Sequence, residues 1–499
     1  MGTQQMTNAD AAWLHMDRPN NLMVVNSLMW FDERPDRERS EQIIRERLVE
    51  RFPRFHQRVI EPHLGLGIPQ WQDDPHFDIC RHLHHIAVEA PGDRAALQAL
   101  VSELISSPLD RSKPLWDLYE ISGYGSGVAI VTRIHHCIAD GIALTRVLLS
   151  LTDEQPDAGV APEASDAGHR SSLAALTDSM SAGAGLAESA LHEGLEFAGH
   201  PRSALTGLAS RSIADARALR KLLLTRGDAP SALKSELGAA QLVTWSEPAS
   251  LHEIKDIGHG TNTTVNDVLV AAITGACRRY LLQHHDLVDE IRAMVPFNLR
   301  PLDQPLPREL GNRFGLVYLN LPVGIRGPRA RLNAVHTQME EIKGSPEGAL
   351  AYGLLGVMGL TPPQVERRMI DIFSDKVTMV LTNVPGPTQP IYFAGAPVAG
   401  VLGWVPAGGN IGVGVSIFSY NGGVTIGLRV DAGIVPDPET IIEYYEYELK
   451  VLAGLKRLPP AKPTGKVTAK TAAAPRAKAT VTTKGTAKAK ARDPAPAPA

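Results

Sequence analysis

His135-His136-Cys137-Ile138-Ala139-Asp140-Gly141 is the stretch on which the reading of this chain turns. A largely β-branched run, Val128-Ala129-Ile130-Val131-Thr132-Arg133-Ile134, leads into it, and an amphipathic run over residues 142–151 leaves it. The pattern predicts a strand that ends in two imidazoles and a helix that begins behind Asp-Gly. Neighbouring residues on a strand face opposite sides, so one histidine is expected to face a channel and the other the core. Imidazole is the side chain best suited to take a proton near neutral pH. No serine or cysteine nucleophile stands in a recognisable motif beside the pair. The chain also lacks a phosphate loop, a GxSxG and a dinucleotide fingerprint. The chemistry expected is direct transfer, in which a histidine deprotonates a hydroxyl or amine that attacks an activated acyl group.

Outward from this stretch, strands and helices alternate. Strands are expected over residues 23–31 and from 114 to 119, and helices over 39–51 and 94–105. Residues 153–170 are rich in Asp, Ala, Gly and Pro and read as a linker, and residues 171–225 as a helical crossover. A second pattern begins near Leu242. It has a helix over residues 264–280, with Leu269, Ala272, Ile273 and Ala276 at helical spacing. Strands over 293–297, 316–321, 377–381, 411–418 and 424–430 and helices over 331–343 and 439–455 follow. The glycines of residues 403–414 read as turns and close approaches. The expected organisation is an α/β half over residues 1–152, linker and crossover over 153–240, and a second half over 241–460. A basic tail occupies residues 461–499.

Bulk properties narrow the class. At 499 residues, each half can bury a full core. Three cysteines, Cys80, Cys137 and Cys277, are widely spaced and odd in number, which fits a reducing compartment and excludes a disulfide framework or CxxC zinc site. Beside His82, His84 and His85 no carboxylate or cysteine completes a ligand set at tight spacing except Cys80 and Asp78, and no metal is expected. No apolar run is long enough to cross a membrane. The nearest candidate, residues 349–360, reads as a buried helix, with a tunnel wall or lipid-facing surface as the alternative. The tail holds nine Lys/Arg and one Asp, a charge of +8, against −4 for the whole chain. Its Ala, Lys, Thr and Pro cannot bury enough apolar surface to fold.

The heptapeptide resembles the active-site motif of the CoA-dependent acyltransferase superfamily, which includes chloramphenicol acetyltransferase and peptide-synthetase condensation domains. Further motifs resemble the bacterial wax ester synthase/diacylglycerol acyltransferase family. These are Ala9-Asp10 through Phe31, Pro114-Leu115-Trp116, Asn266-Asp267, Pro296-Phe297-Asn298-Leu299-Arg300, Gly311-Asn312, Asn383-Val384-Pro385-Gly386-Pro387 and Ser419-Tyr420-Asn421-Gly422. Together they cover roughly residues 8 to 455. The segment Ala239-Ala240-Gln241-Leu242-Val243 departs from the family, whose members usually carry an Arg there.

The resemblance implies an α/β fold of two chloramphenicol-acetyltransferase-like domains. Each would be a mixed sheet with helices, and the active-site channel would lie between them. It implies an O-acyltransferase that moves a long-chain acyl group from acyl-CoA to diacylglycerol or a fatty alcohol. No bound cofactor is expected, because acyl-CoA is a co-substrate. His136 would be the base, with His135 structural. Asp140 reads either as a second base or as a helix cap paired across the halves, by resemblance with Arg300. Gly141 is expected at a close approach or a positive φ. Asn266 is expected to donate to the oxyanion or to cap its helix. Pro114, Leu115, Trp116, Asn383 and Gly386 are expected to line or shape the channel, with a buried Trp116 as the simpler reading. The tail predicts peripheral contact with an anionic membrane or lipid-droplet surface from the cytoplasmic side, at the inner membrane or lipid inclusions, and no nucleic-acid partner. The alternatives are a condensation-type transferase acting on an amine or polyketide hydroxyl, and a non-catalytic lipid-binding relative.

Overall fold

The computed structural model describes residues 3–62, 67–159, 225–298, 306–343 and 363–455. The first half supplies strands β1 (Val24–Phe31), β2 (Leu83–Ala87), β3 (Trp116–Tyr124) and β4 (Gly127–His135). The second supplies β5 (Gln241–Trp245), β6 (Ile291–Asn298), β7 (Phe314–Leu321), β8 (Met379–Pro385), β9 (Gly400–Trp404), β10 (Val413–Tyr420) and β11 (Gly423–Asp431). The helices that matter for the site are α1 (Asn8–Met16), α2 (Arg94–Ser106), α3 (Gly141–Leu149), α4 (Val265–Gln283), α5 (Pro328–Lys343), α6 (Pro363–Ser374) and α7 (Pro438–Leu455).

Two mixed sheets form the frame. One has the order β9-β1-β4-β3-β2, antiparallel except for the parallel β2–β3 pair. The other runs β7-β6-β8-β10-β11-β5, with β8 parallel to both its neighbours. Strand β9 comes from the second half of the sequence yet completes the first sheet, pairing Gly403 with Ser27 and Trp404 with Asn26. The glycine-rich run expected as turns and close approaches begins inside this strand, at Gly403. Gly400, just before that run, is a close approach, because a side chain there would run into the Trp30 ring.

Strand β4 is buried along its whole length after Gly127, so both its faces are covered. Val128, Ile130 and Ile134 face the core shared with α1 and α3. Ala129 and Val131 face α2, Trp245 of β5 and Trp404 of β9. Helix α4 is enclosed nearly all round, including Leu269, Ala272, Ile273 and Ala276. The helix expected over residues 39–51 runs as Arg37–Ile43 and continues as a π-helical segment, Ile44–Val49. Helix α6 and the strand β2 were not anticipated. The crossover of residues 171–225, the apolar run 349–360, Arg300 and the tail lie outside the described residues. Among the described residues no helix is long and apolar enough to cross a membrane.

Candidate active site

His136 sits one residue beyond the end of β4 and is only 4% exposed. Its backbone N–H donates to the Met23 carbonyl at 2.8 Å, which fixes its height against the start of β1. Its ring lies flat on the indole of Trp13, with centroids 3.9 Å apart and planes 19° apart. Phe314 approaches from β7 with a tilted ring at 5.6 Å. Burial pushes the imidazole down to about 4, against the opposing pull of the Asp140 charge and of its own backbone carbonyl. The ring is therefore neutral at pH 7 and able to accept a proton.

His135 faces the other way. Its Nδ1 accepts the Cys137 N–H at 3.1 Å, so in the neutral ring the proton stands on Nε2. Nε2 points toward Asp17 Oδ2 at 3.7 Å. Asp17 also accepts the Met23 N–H at 2.7 Å and an Arg111 guanidinium bond at 3.0 Å. Burial works against the Asp17 carboxylate, but His135 and these donors bring it down to about 2.

Asp140 is the N-cap of α3, its Oδ1 accepting the Ala143 N–H at 2.8 Å. Its Oδ2 accepts the backbone N–H of Arg313 at 3.0 Å, so a link between the halves runs through this carboxylate. The expected partner, Arg300, lies outside the described residues. Gly141 does not have a positive φ. A Cβ there would lie 3.3 Å from Val405, so close approach is its role.

The residues Gly311, Asn312 and Arg313 clamp the histidine loop from the second half. Gly311 N–H donates to the Ile138 carbonyl at 3.1 Å, and its positive φ of 100° suits glycine. Asn312 Nδ2 donates to the His136 carbonyl and to Asp10 Oδ1, each at 2.8 Å. Asp10 is buried on α1, and burial raises its carboxyl above the ordinary value. Ala9-Asp10 and Gly311-Asn312 stood out in the sequence only as family motifs, with no role attached. Trp13 stood out only as part of the motif running from Ala9-Asp10 through Phe31, with no role attached.

The structure does not bring the remaining expected residues to His136 by any described contact. Asn266 lies inside the first turn of α4, and the cap is Thr264, in a reciprocal capping box with Asp267. This corrects the N-cap alternative for Asn266. Its Oδ1 accepts a hydrogen bond from Asn383 Nδ2 on β8. Asp267 Oδ2 also accepts from, or pairs with, His336 Nδ1 at 2.7 Å. Trp116 is fully buried, donates Nε1–H to the Phe55 carbonyl at 2.8 Å and stacks on His82 at 4.4 Å. Pro114, Leu115 and Trp116 do not belong to the lining of the cavity described next. They underlie the strand, and the Leu115 carbonyl accepts the His135 N–H at 2.9 Å. Gly386 packs too close to Ser419 and Phe418 to carry a side chain.

An apolar cavity begins beside the motif. One face of α3 and its extension, Gly141, Leu144, Thr145, Leu148, Leu149 and Thr152, forms a wall. These positions follow helical spacing. Strands β1, β8, β9 and β10 supply the other walls, so both halves enclose it.

The site is a buried histidine at a strand end, clamped from the second half of the chain and flanked by an apolar cavity, in an α/β fold built on two mixed sheets. The first condensation domain of the calcium-dependent antibiotic synthetase shares the fold, with a TM-score of 0.57 at 14% identity, over 91% of this chain and 97% of that one. The chain belongs to the wax ester synthase/diacylglycerol acyltransferase family: residues 6–269 match its catalytic domain and residues 310–453 its C-terminal domain. A probable diacylglycerol O-acyltransferase of Mycobacterium tuberculosis is 29% identical over 445 residues, 87% of this chain and 92% of that protein. The O-acyltransferase WSD of Acinetobacter baylyi is 24% identical over 77% of this chain and 83% of its own length. The wax ester synthase/diacylglycerol acyltransferase of Marinobacter aquaeolei VT8 has the same fold, with a TM-score of 0.64 at 22% identity, over 91% of this chain and all of that one.

Proposed function

We propose that this acyltransferase moves a long-chain acyl group from acyl-CoA to the hydroxyl of diacylglycerol or a fatty alcohol, giving triacylglycerol or wax ester. The observation that carries this reading is the neutral, buried His136 next to an apolar cavity that starts at Gly141. His136 takes the hydroxyl proton as the acceptor oxygen attacks the thioester carbonyl. The tetrahedral oxyanion then collapses, the carbon–sulfur bond breaks and the proton passes from His136 to the departing sulfur. No acyl-enzyme forms. Asn266 donates to the oxyanion. With its Oδ1 taken by Asn383, its Nδ2 has no acceptor among the described residues, and one such donor is worth about 3–4 kcal/mol. Asp140 holds the loop and does not exchange protons.

The test is thiol release from palmitoyl-CoA with and without hexadecanol or diolein. Release that depends on acceptor is expected. Release that ignores the acceptor, or none, would sink the reading, and an acyl group trapped on the protein in mass spectrometry would contradict direct transfer. A paired acceptor series decides between diacylglycerol and alcohol.

The basic tail, residues 461–499, is the proposed contact with anionic membrane or storage-lipid surface, each cation contributing up to about 1 kcal/mol near such a surface. Truncation after Pro460 should leave activity on detergent-dispersed substrate intact and weaken sedimentation with anionic vesicles, with salt erasing the difference. Equal binding by both forms at low salt would exclude the tail as an anchor.

A further inference from the structure

Trp13 covers one face of the ring that the reaction must charge. Its indole is stacked on His136 at 3.9 Å, whereas Phe314, the other aromatic recorded against that ring among the described residues, is tilted by 48° at 5.6 Å. Trp13 is 7% exposed and His136 4%, so water is largely excluded from the pair. Helix α1, which carries Trp13, is fixed from the second half at both ends. Asp10 is held by Asn312, and His15 Nδ1 meets the buried Glu366 of α6 at 2.9 Å. The fold therefore sets the indole plane independently of the histidine.

We propose that Trp13 is a positioning residue of the acyl transfer, whose indole face holds the plane of the His136 ring and stabilises the imidazolium formed when the acceptor proton arrives. This rests on the reading of His136 as the base. Between attack of the acceptor oxygen and protonation of the leaving sulfur, the ring carries a full positive charge in an enclosed site. Burial is the largest effect opposing that charge, and the ring comes down to about 4. The groups that face it are few. Asp140, at the cap of α3, favours the cation, but both its oxygens already accept backbone N–H groups. His135 opposes it, and the His136 carbonyl and Asn312 favour it. Asp10 of α1 stands behind Asn312, and burial biases it toward its neutral form. Among the described residues the indole is the aromatic face that lies flat on the ring, and tryptophan is the strongest of the aromatic faces for a cation, most of all where water is excluded.

Packing and electrostatics separate in a fluorinated series. Fluorination of Trp13 alone, with one, two and three fluorines, withdraws electron density from the face while nearly preserving shape. The expected result is a stepwise fall in kcat, about three- to tenfold in all, with KM unchanged for acyl-CoA and acceptor. The His136 titration, followed by NMR without substrate, should move further down in parallel. Trp13→Phe should fold and lie within the same series. A flat kcat and a fixed titration across the fluorines would reduce Trp13 to packing and overturn the proposal, as would a titration that moves while kcat does not. Absence of acceptor-dependent transfer in the unsubstituted protein would instead overturn the reaction itself, and is seen before any variant is made.

Discussion

Asn312, from the second half, donates its side-chain amide to the backbone carbonyl of His136 at 2.8 Å, and the same nitrogen reaches Asp10 of α1 at 2.8 Å. A backbone N–H from Asn312 adds a second bond to that Asp10 oxygen at 3.0 Å. One side chain thus ties the histidine loop, the first helix and the second half together, all without solvent.

Asn312→Ala should therefore lower stability and activity together. It leaves a buried carboxyl and a buried carbonyl short of a donor, and a buried acceptor left without its hydrogen bond costs about 1–3 kcal/mol. Chemical denaturation of Asn312→Ala, Asp10→Asn and the double variant measures the coupling. Strictly additive losses would show that the two residues do not act as a unit.

The catalytic strand, its loop and the helix behind it were legible because their patterns are local. A β-branched run, a paired histidine and a capping Asp-Gly all lie within about twenty residues. Strand β9 was not legible, because glycine weakens a strand pattern, and here Gly400 is present to admit the Trp30 ring from another strand. Trp13 and the clamp by Asn312 depend on contacts between residues far apart in sequence, which no periodicity encodes. Trp116 could be read as channel or core. Its burial and its bond to Phe55 follow from which face of β3 meets the aromatic cluster, and that is a tertiary choice.

Acid should destabilise the protein between pH 6.5 and about 4. His136 and His82 are both held down to about 4 by burial. Across that window the unfolded chain takes protons that the folded one refuses, so stability falls as pH falls and is fully retained only above the window. For His136 the contribution is on the order of 3 kcal/mol. Unfolding free energies from urea titrations at pH 7, 6, 5 and 4 should decline, and less steeply in His136→Gln. An unchanged slope in that variant would show that His136 is not buried neutral.

His135→Ala should cost folding more than chemistry. The change strands the buried Cys137 N–H, which His135 Nδ1 accepts, at about 1–3 kcal/mol. Asparagine can offer an acceptor near the same point, so His135→Asn should recover much of the stability and turnover. His136→Ala, by contrast, should lose at least about 100-fold in kcat, far more than its loss of stability accounts for. A His135→Ala protein of normal stability with activity as low as His136→Ala would reverse the two assignments.

The proposed transfer places the donor acyl chain in the cavity along α3, and chain length should then depend on one helix face. From Gly141 to Leu149 that face extends about 12 Å at the helical rise. Leu148 lies toward its far part and is only partly buried, so a larger ring there has room to enter the cavity without displacing the helix. Leu148→Phe should shift kcat/KM toward shorter acyl-CoA chains while leaving the acceptor preference unchanged. Each methylene excluded from an apolar site costs about 1 kcal/mol, so exclusion of two should lower kcat/KM for the longer chain by roughly tenfold or more. Rates with acyl-CoA donors of eight to eighteen carbons measure this directly. An unchanged donor profile, or a profile that moves for the acceptor instead, would show that the acyl chain does not occupy this cavity.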